Sequence, residues 1–373
     1  MQKSVIHKIL DDTGRLSGVH IENISLAEPF VDMAARFAGT PGSVVLMSGG
    51  RHDSARHHIL GIDPWLTLTS CRDSIEVKTS TNVHRLHCDP FDILKALCRA
   101  YALKIDDRPS SFTCGLLGYL AYDLKDYIEK LPRTSIDDLG LPGLKLYAPS
   151  HLVVHDKTAG TTRLIVPHFA GTDPIRAKQT VAAFQDRIAG PPPSSQGFGG
   201  DMRGFKSNFE KTDYLDAVDR IKTYIAAGHV YQVNLSQRFR MGFQGNGYAL
   251  FRTLYGLNPA PFYAYINAGD HQIVSTSPER FLRQTGRQVE TRPIKGTRPR
   301  GATPDQDQSL KHELQASPKE DAELSMIVDL LRNDMGKVCK SGTVAVTAHK
   351  RLETYQNVYH LVSVVKGTLD DKF

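Results

Sequence analysis

The spacing of apolar residues predicts a mixture of strands and helices in the first half of the chain. Short apolar runs at 43–47, 152–155 and 162–166 have the length of buried strands. Residues 90–101 and 174–188 repeat apolar positions at helical spacing instead. We therefore predict an α+β region before residue 190.

Two neighbouring elements are predicted in the second half. The first is a helix, because Tyr214, Val218, Ile221 and Ile225 recur at helical spacing. Thr212 or Asp213 can cap its start, and Gly228 can end it. Residues 230–239 then alternate apolar and polar side chains with the period of two that a half-exposed strand shows.

A further helix is predicted at 318–333. Ser317 and Glu320 have the spacing of a capping box, and Pro318 occupies the first helical position. Glu323 shares a helical stripe with Ile327 and Leu330, so this carboxylate is expected beside core aliphatic residues. An acid in that setting needs a partner.

A segment rich in proline, glycine and serine divides the chain. Residues 190–204 contain three consecutive prolines and a glycine-rich stretch, a composition that cannot bury a core. We predict an N-terminal region at 1–189, a linker at 190–204 and a C-terminal region at 205–373.

Composition narrows the class of protein. No apolar run approaches the roughly 18 residues that span a membrane, and the N-terminus lacks a signal-peptide pattern, so a cytoplasmic protein without membrane contact is predicted. The net charge is +6, but basic residues are interleaved with 40 acidic ones, which argues against nucleic-acid binding. Five cysteines without a CxxC pair argue against disulfides and against a thiolate zinc site.

Lys295 is the first candidate for chemistry. It lies in TRPIKGTRPRG at 291–301 among three arginines, and neighbouring positive charge lowers a lysine pKa and makes the amine a better nucleophile. The alternative is an exposed basic loop that binds any anion.

Three other residues have competing interpretations. Glu279, in SPERF at 277–281, is either a general acid at a strand end or a surface partner of Arg280. Glu323 either binds a hard cation such as magnesium or pairs with an arginine such as Arg332. His360 lies among apolar residues and is either a core histidine or a site residue.

Seven segments in order resemble the chorismate-binding enzyme family, which includes anthranilate, aminodeoxychorismate, isochorismate and salicylate synthases. They are GLLGYLAYDL at 115–124, AAGHVYQVNLSQRF at 226–239, NPAPFYAY at 258–265, STSPERFL at 275–282, TRPIKGTRPRG at 291–301, ELSMIVDLLRNDMGKV at 323–338 and YQNVYHLVSVVKGTL at 355–369. The resemblance implies an α+β, anthranilate synthase component I-like fold, in which two large antiparallel sheets pack together and are flanked by helices.

Two positions indicate which reaction the resemblance implies. The anthranilate-like members typically have alanine where this chain has Lys295, and the aminodeoxychorismate synthase component I members have lysine. The isochorismate and salicylate synthases have a water-activating lysine where this chain has Gln232. The implied reaction is amination of chorismate at ring carbon 4 in 4-aminobenzoate and folate biosynthesis, with anthranilate synthase component I as the alternative.

The resemblance also implies functions for individual residues. Lys295 would attack ring carbon 2 while Glu279, as general acid, protonates the hydroxyl leaving carbon 4; ammonia then adds at carbon 4 and expels the lysine. Glu323 would be one of the glutamates that hold Mg²⁺ against the substrate carboxylate. Thr297 and His360 would line the substrate pocket. A separate glutamine amidotransferase subunit would supply the ammonia.

The resemblance implies, in addition, that the chain lacks the C-terminal part of the family fold. Members continue past the segment that ends here at Leu369 into further strands, substrate contacts and the remaining magnesium-binding glutamate. We therefore expect little activity from this chain alone, and a non-catalytic remnant that still docks the amidotransferase is a further alternative.

Overall fold

The computed structural model describes residues 2–71, 74–103, 112–171, 174–191 and 197–373. In these ranges the helices are α1 (Gln2–Thr13), α2 (Phe30–Ala38), α3 (Pro90–Ala100), α4 (Pro174–Ala189), α5 (Lys211–Ala226), α6 (Gly247–Leu257), α7 (Pro304–Ala316) and α8 (Pro318–Gly336), with a 3-10 helix at Tyr122–Tyr127. None of these helices combines the length and the apolar character that crossing a membrane requires.

The strands of the same ranges run mostly antiparallel to their neighbours. They are β1 (Leu16–Ile24), β2 (Val44–Met47), β3 (His57–Cys71), β4 (Ser74–Thr79), β5 (Val83–Leu86), β6 (Leu117–Leu120), β7 (Leu144–Asp156), β8 (Thr161–Phe169), β9 (Phe198–Ser207), β10 (Phe239–Gly245), β11 (Tyr263–Asn267), β12 (Gln272–Ser275), β13 (Arg280–Thr285), β14 (Gln288–Arg292), β15 (Ile294–Pro299), β16 (Ala345–Thr354) and β17 (Val358–Thr368). The elements predicted before residue 190 are confirmed, since β2, β7 and β8 cover the apolar runs and α3 and α4 the helical stretches.

The larger sheet has the strand order β1-β8-β7-β3-β2-β11-β12, and β4, β5 and β6 attach to β3 and β7. One face of β3 and β7 is apolar because leucines alternate along both strands. These leucines pack against α1 and α3 in a core that includes Ile9, Leu66, Leu68, Ile93, Leu97, Leu144 and Leu146. Burying each such side chain contributes about 1.5–3 kcal/mol, so this face holds the two helices on the sheet.

Strand β11 joins the N-terminal sheet although it follows the predicted linker. Tyr263 pairs with Met47 and Ile266 with Val44 across the β11–β2 ladder. The contacts therefore divide the chain into one unit of residues 1–193 and 251–373 and a second unit of residues 194–250. The expected division at 190–204 differs from this one, because the open edge of β2 takes its hydrogen-bonding partner from beyond the linker.

The smaller sheet has the strand order β13-β14-β17-β15, with β16 on β17. Helices α7 and α8 cover one of its faces, where Leu314, Leu324 and Val328 pack with Leu361 and Val365. This sheet and its helices carry four of the five residues singled out above, and Glu279 lies immediately before β13.

The unit formed by residues 194–250 differs from the sequence prediction in three places. Residues 198–204, expected in the linker, form the first part of β9. Helix α5 ends near Gly228 as predicted, but it begins after Glu210 rather than at Thr212 or Asp213. The strand predicted at 230–239 is wrong, because the β10–β9 ladder begins only at Phe239, opposite Ser207. Alternating side chains make a strand only where a neighbouring backbone is available to pair.

Helix α8 starts where it was predicted and ends three residues later, at Gly336. The Ser317 hydroxyl accepts a hydrogen bond from the Glu320 amide at 3.4 Å, which is half of the predicted capping box. The Glu320 carboxylate does not complete it and accepts from Arg298 instead. The buried stripe is Leu324, Val328 and Met335, whereas Leu330 is 55% exposed, so the predicted core stripe was displaced by one position.

Candidate active site

Glu279 lies in the turn just before β13 and reaches the start of β15. Its Oε1 accepts a hydrogen bond from the backbone amide of Ile294 at 2.9 Å. Arg280 points elsewhere and forms an ion pair with Glu290. The predicted alternative, a surface pair between Glu279 and Arg280, is therefore wrong, and the Glu279 carboxylate is held one residue before Lys295.

A bulge separates Lys295 from Thr297 on β15. Lys295 pairs with Leu361 of β17 and Thr297 with His360, so Gly296 is an extra residue in the ladder. Gly296 has a φ of +83°, the left-handed conformation that glycine adopts in this kind of bulge. The bulge therefore brings Lys295 and Thr297 opposite two consecutive residues of β17.

Lys295 and Glu323 form an ion pair. The distance from Lys295 Nζ to Glu323 Oε1 is 3.2 Å, and the two side chains are 28% and 29% exposed. Leu361, the cross-strand partner of Lys295, belongs to the same apolar cluster as Leu324, and Glu323 is the residue just before Leu324 on α8. Arg332, the alternative partner, pairs with Asp329 at 3.2 Å. A small ligand can still reach the amine and the carboxylate, because both are partly exposed.

Thr297 and His360 form the second pair. The Thr297 hydroxyl lies 2.9 Å from His360 Nδ1, and Glu353 of β16 is the cross-strand neighbour of His360 on its other side. Burial lowers the pKa of His360, and the Gly296 carbonyl, Glu353 and Glu279 oppose that shift. The net lowering favours a neutral imidazole near neutral pH, which can both donate and accept a hydrogen bond.

The three arginines around Lys295 are compensated by carboxylates. Arg298 pairs with Glu313 at 2.8 Å, and Arg300 with Asp307 at 2.7 Å. Arg292 pairs with Asp53 at 2.7 Å and with Glu290 at 2.6 Å. The sequence argument for an activated lysine assumed free positive charge nearby, and that assumption was wrong. The alternative, an exposed basic loop that binds any anion, also loses its support, because the same carboxylates neutralise the three arginines.

An ionic network that the sequence did not reveal joins this sheet to the loop before β3. Asp53 accepts hydrogen bonds from Arg292 at 2.7 Å and from Arg351 at 3.2 Å. Burial by itself raises the pKa of Asp53, but the hydrogen bonds from both arginines outweigh it and hold that pKa well below its usual range. No spacing rule connects Asp53 with residues about 240 and 300 positions away, so only the fold reveals the contact.

A cavity of about 1170 Å³ opens next to Glu279. Its walls combine apolar residues of β2, such as Leu46, with residues 279–286 around β13. Among the described residues that line it, Glu279 is the one predicted site residue. The structure thus groups the five residues as two pairs, with Glu279 anchored beside the first.

Glu323 is suited to be one ligand of a magnesium ion. Magnesium sites typically use one or two carboxylates together with water and substrate oxygens. Glu323 presents a partly exposed carboxylate, whereas the nearby Glu320 is engaged with Arg298. The described part of the chain contains no group of three or more His, Cys, Asp or Glu residues that could hold a metal.

Comparison with known proteins gives consistent results. The family described as chorismate binding enzyme matches residues 53–373. Anthranilate synthase component 1 of Thermus thermophilus is 38% identical over 334 residues, which cover 88% of this chain and 70% of that protein. Aminodeoxychorismate synthase component 1 of Bacillus subtilis is 32% identical over 349 residues, which cover 93% of this chain and 74% of that protein.

Among solved structures, anthranilate synthase component I from Streptococcus pneumoniae superposes with a TM-score of 0.76 at 24% identity, covering 87% of this chain and 71% of that one. Together with the two antiparallel sheets described above, this superposition confirms the expected fold. The chain spans 58% to 74% of the length of the curated relatives it matches.

Proposed function

This chain belongs to the chorismate binding enzyme family, and from that premise we propose that it aminates chorismate at ring carbon 4 to give 4-amino-4-deoxychorismate. The residue at position 295 carries this proposal, because an amine rather than an alanine methyl occupies the PIKGT segment. The Glu279 carboxylate, held by the amide of the neighbouring Ile294, supports a chemical function for that amine.

The proposed reaction has two displacements at the substrate ring. The unprotonated Lys295 amine forms a bond to carbon 2, the ring double bonds shift, and the hydroxyl leaves carbon 4 with a proton from Glu279. Ammonia then adds at carbon 4 and the bond to Lys295 breaks, which returns the amine to the enzyme. The enolpyruvyl group stays on the ring throughout.

The Ile294 amide bond holds Glu279 in a fixed orientation at the start of β15. A carboxyl group held in this way can deliver a proton repeatedly to one place, which is the geometric requirement for a general acid. Thr297 and His360 would bind the substrate through the hydroxyl and imidazole that already meet at 2.9 Å.

Magnesium is part of the proposal. Glu323 would contribute one carboxylate ligand, and the bound ion would neutralise and orient a substrate carboxylate. Because Glu323 also pairs with Lys295, the same carboxylate would keep the amine in place before the substrate arrives.

We also propose that the ammonia comes from a glutamine amidotransferase partner and that the product serves 4-aminobenzoate and folate synthesis. The Bacillus subtilis relative, named aminodeoxychorismate synthase component 1, supports this assignment. The second candidate is anthranilate synthesis, which the 38% identity to the Thermus thermophilus protein favours. In that reaction the enolpyruvyl group leaves as pyruvate and the ring becomes aromatic.

Replacement of Lys295 tests the proposal. In the full-length protein containing this chain, we expect Lys295→Ala to lower formation of 4-amino-4-deoxychorismate by on the order of a hundredfold or more, because no amine remains to form the covalent bond. Lys350→Ala is the matched control: Lys350 pairs with Asp321 of the same helix at 2.9 Å and is 29% exposed. Product chromatography should show normal turnover in the control, and undiminished turnover in Lys295→Ala would contradict the proposed nucleophile.

A further inference from the structure

His360 is held between two neighbouring strands and a buried aromatic ring. Thr297 of β15 and Glu353 of β16 are its cross-strand neighbours. The ring of Tyr355, at the end of β16, meets the His360 ring edge-on, with 5.1 Å between the ring centres. The ring of a substrate-binding histidine therefore depends on Tyr355 for one of its contacts.

Tyr355 is itself fixed from two other directions. Its hydroxyl donates a hydrogen bond to Glu353 Oε2 at 3.0 Å, and the His52 ring stacks on it with 4.4 Å between centres. Only 5% of Tyr355 is exposed. A buried ring with contacts on its face, its edge and its hydroxyl has little freedom to rotate.

Glu353 completes this support. It is 8% exposed, accepts a hydrogen bond from Arg351 and lies 3.6 Å from His52 Nδ1. Arg351 also donates to Asp53, so the loop before β3 and strand β16 hold Tyr355 jointly. Burial of a carboxylate costs free energy unless it is paired, and here Arg351 of the same strand, Tyr355 and His52 of the loop supply the partners.

We propose that Tyr355 is a positioning residue: it orients the His360 imidazole toward the Thr297 hydroxyl and thereby sets the affinity for chorismate. This inference rests on the proposed function, in which Thr297 and His360 bind the substrate. Tyr355 acts through His360 and has no direct part in bond making or breaking.

The Tyr355 ring restricts rotation of the His360 imidazole. Without the Tyr355 ring, water and empty space would replace one wall of the His360 site, and the ring could turn away from Thr297. Misplacement of a binding group by about 1 Å can cost on the order of a hundredfold in rate. The groups that act on the charge of His360 are Glu353, Glu279 and the Gly296 carbonyl, and the Tyr355 substitutions below leave all three in the protein.

Three variants test the proposal. Tyr355→Leu removes the ring, whereas Tyr355→Phe keeps the ring and loses only the hydroxyl. Tyr265→Leu is the matched control, because Tyr265 is also buried and bonded through its hydroxyl, to the Ala38 carbonyl at 3.1 Å, but belongs to the larger sheet. If Tyr355→Leu does not fold, Tyr355→Met retains unbranched apolar volume without a ring and replaces it.

The first measurement needs no substrate. The His360 imidazole is titrated by NMR in protein labelled at histidine nitrogen, with its resonance assigned by its loss in His360→Gln. We expect Tyr355→Leu to raise the pKa of His360 toward its ordinary value, because burial, the main cause of the lowered pKa, is relieved. Tyr355→Phe and Tyr265→Leu should leave the titration near that of the wild type.

The second measurement is the steady-state rate with chorismate. We expect Tyr355→Leu to raise KM by on the order of tenfold or more, with a smaller change in kcat, and Tyr355→Phe to change KM by about fivefold or less, the equivalent of one net hydrogen bond. An unchanged titration, an unchanged KM in Tyr355→Leu, or equal shifts in Tyr265→Leu would each overturn the proposal. If the wild type forms anthranilate instead, the proposed function fails. The effect of Tyr355→Leu on KM for chorismate still tests whether Tyr355 positions His360.

Discussion

Replacement of Gly296 by alanine should destabilise the smaller sheet through two separable effects. Gly296 is the extra residue of the β15 bulge and has a φ of +83°. An added Cβ would lie 3.1 Å from Leu314 Cδ1, 3.2 Å from Glu320 Cβ and 3.3 Å from Glu320 Oε2. Backbone strain and tight packing therefore act together at this position.

The size of each effect can be worked out with a matched control. A left-handed conformation costs a residue with a Cβ about 1–2 kcal/mol. Overpacking against a core leucine and the backbone-proximal Glu320 Cβ adds about 1–3 kcal/mol. Gly342 has a φ of +76° and no atom within 4 Å of an added Cβ, so Gly342→Ala has the backbone cost alone.

The free energy of unfolding should be measured for the wild type and both variants by urea denaturation. Gly296→Ala should be less stable than Gly342→Ala by about 1–3 kcal/mol. It should also bind chorismate less well, because the bulge sets the positions of Lys295 and Thr297. Equal stability of the two variants would refute the packing argument.

Two further predictions concern acid stability and the nitrogen source. Burial alone raises the pKa of Glu290, but hydrogen bonds from Arg292 and Arg280 outweigh it and lower that pKa from 4.5 to about 2. Glu290 therefore stabilises the fold above pH 4.5 and loses this contribution as the pH falls toward about 2. By urea unfolding at pH 7, 5 and 3, Glu290→Gln should be less stable than the wild type at pH 7 and should lose less stability as the pH falls. Parallel pH profiles of stability for the wild type and Glu290→Gln would contradict the assignment. For the nitrogen source, burial raises the pKa of four of the five cysteine thiols and so disfavours the thiolate that glutamine hydrolysis needs. We therefore expect the protein without a partner to use ammonium and not glutamine. Amination supported by glutamine alone would show that the protein hydrolyses glutamine itself.

Local sequence rules predicted the elements whose determinants are close together in the chain. Helix α8 begins at Pro318 because Ser317 and the proline act within one turn. Helix α5 ends near Gly228, which has the φ of +74° that a helix terminus favours. Lys295, Thr297 and His360, which the family motifs singled out, lie on two adjacent strands that the sequence patterns had not predicted.

Features that depend on distant partners were not predictable in this way. The strand expected at 230–239 had suitable alternation, but pairing begins only at its last residue. The partner of Glu323 proved to be Lys295 of β15 rather than Arg332 of its own helix. Asp53 gave no sign of its contact with Arg292, since an ion pair between distant segments leaves no periodic pattern.

The products formed from chorismate test the central claim most directly. The protein containing this chain should be incubated with chorismate, magnesium and ammonium, and the products separated by chromatography while pyruvate is measured in the same samples. The account predicts 4-amino-4-deoxychorismate without a matching release of pyruvate, because the enolpyruvyl group stays on the ring. Formation of anthranilate with an equal amount of pyruvate would contradict the assignment that rests on Lys295.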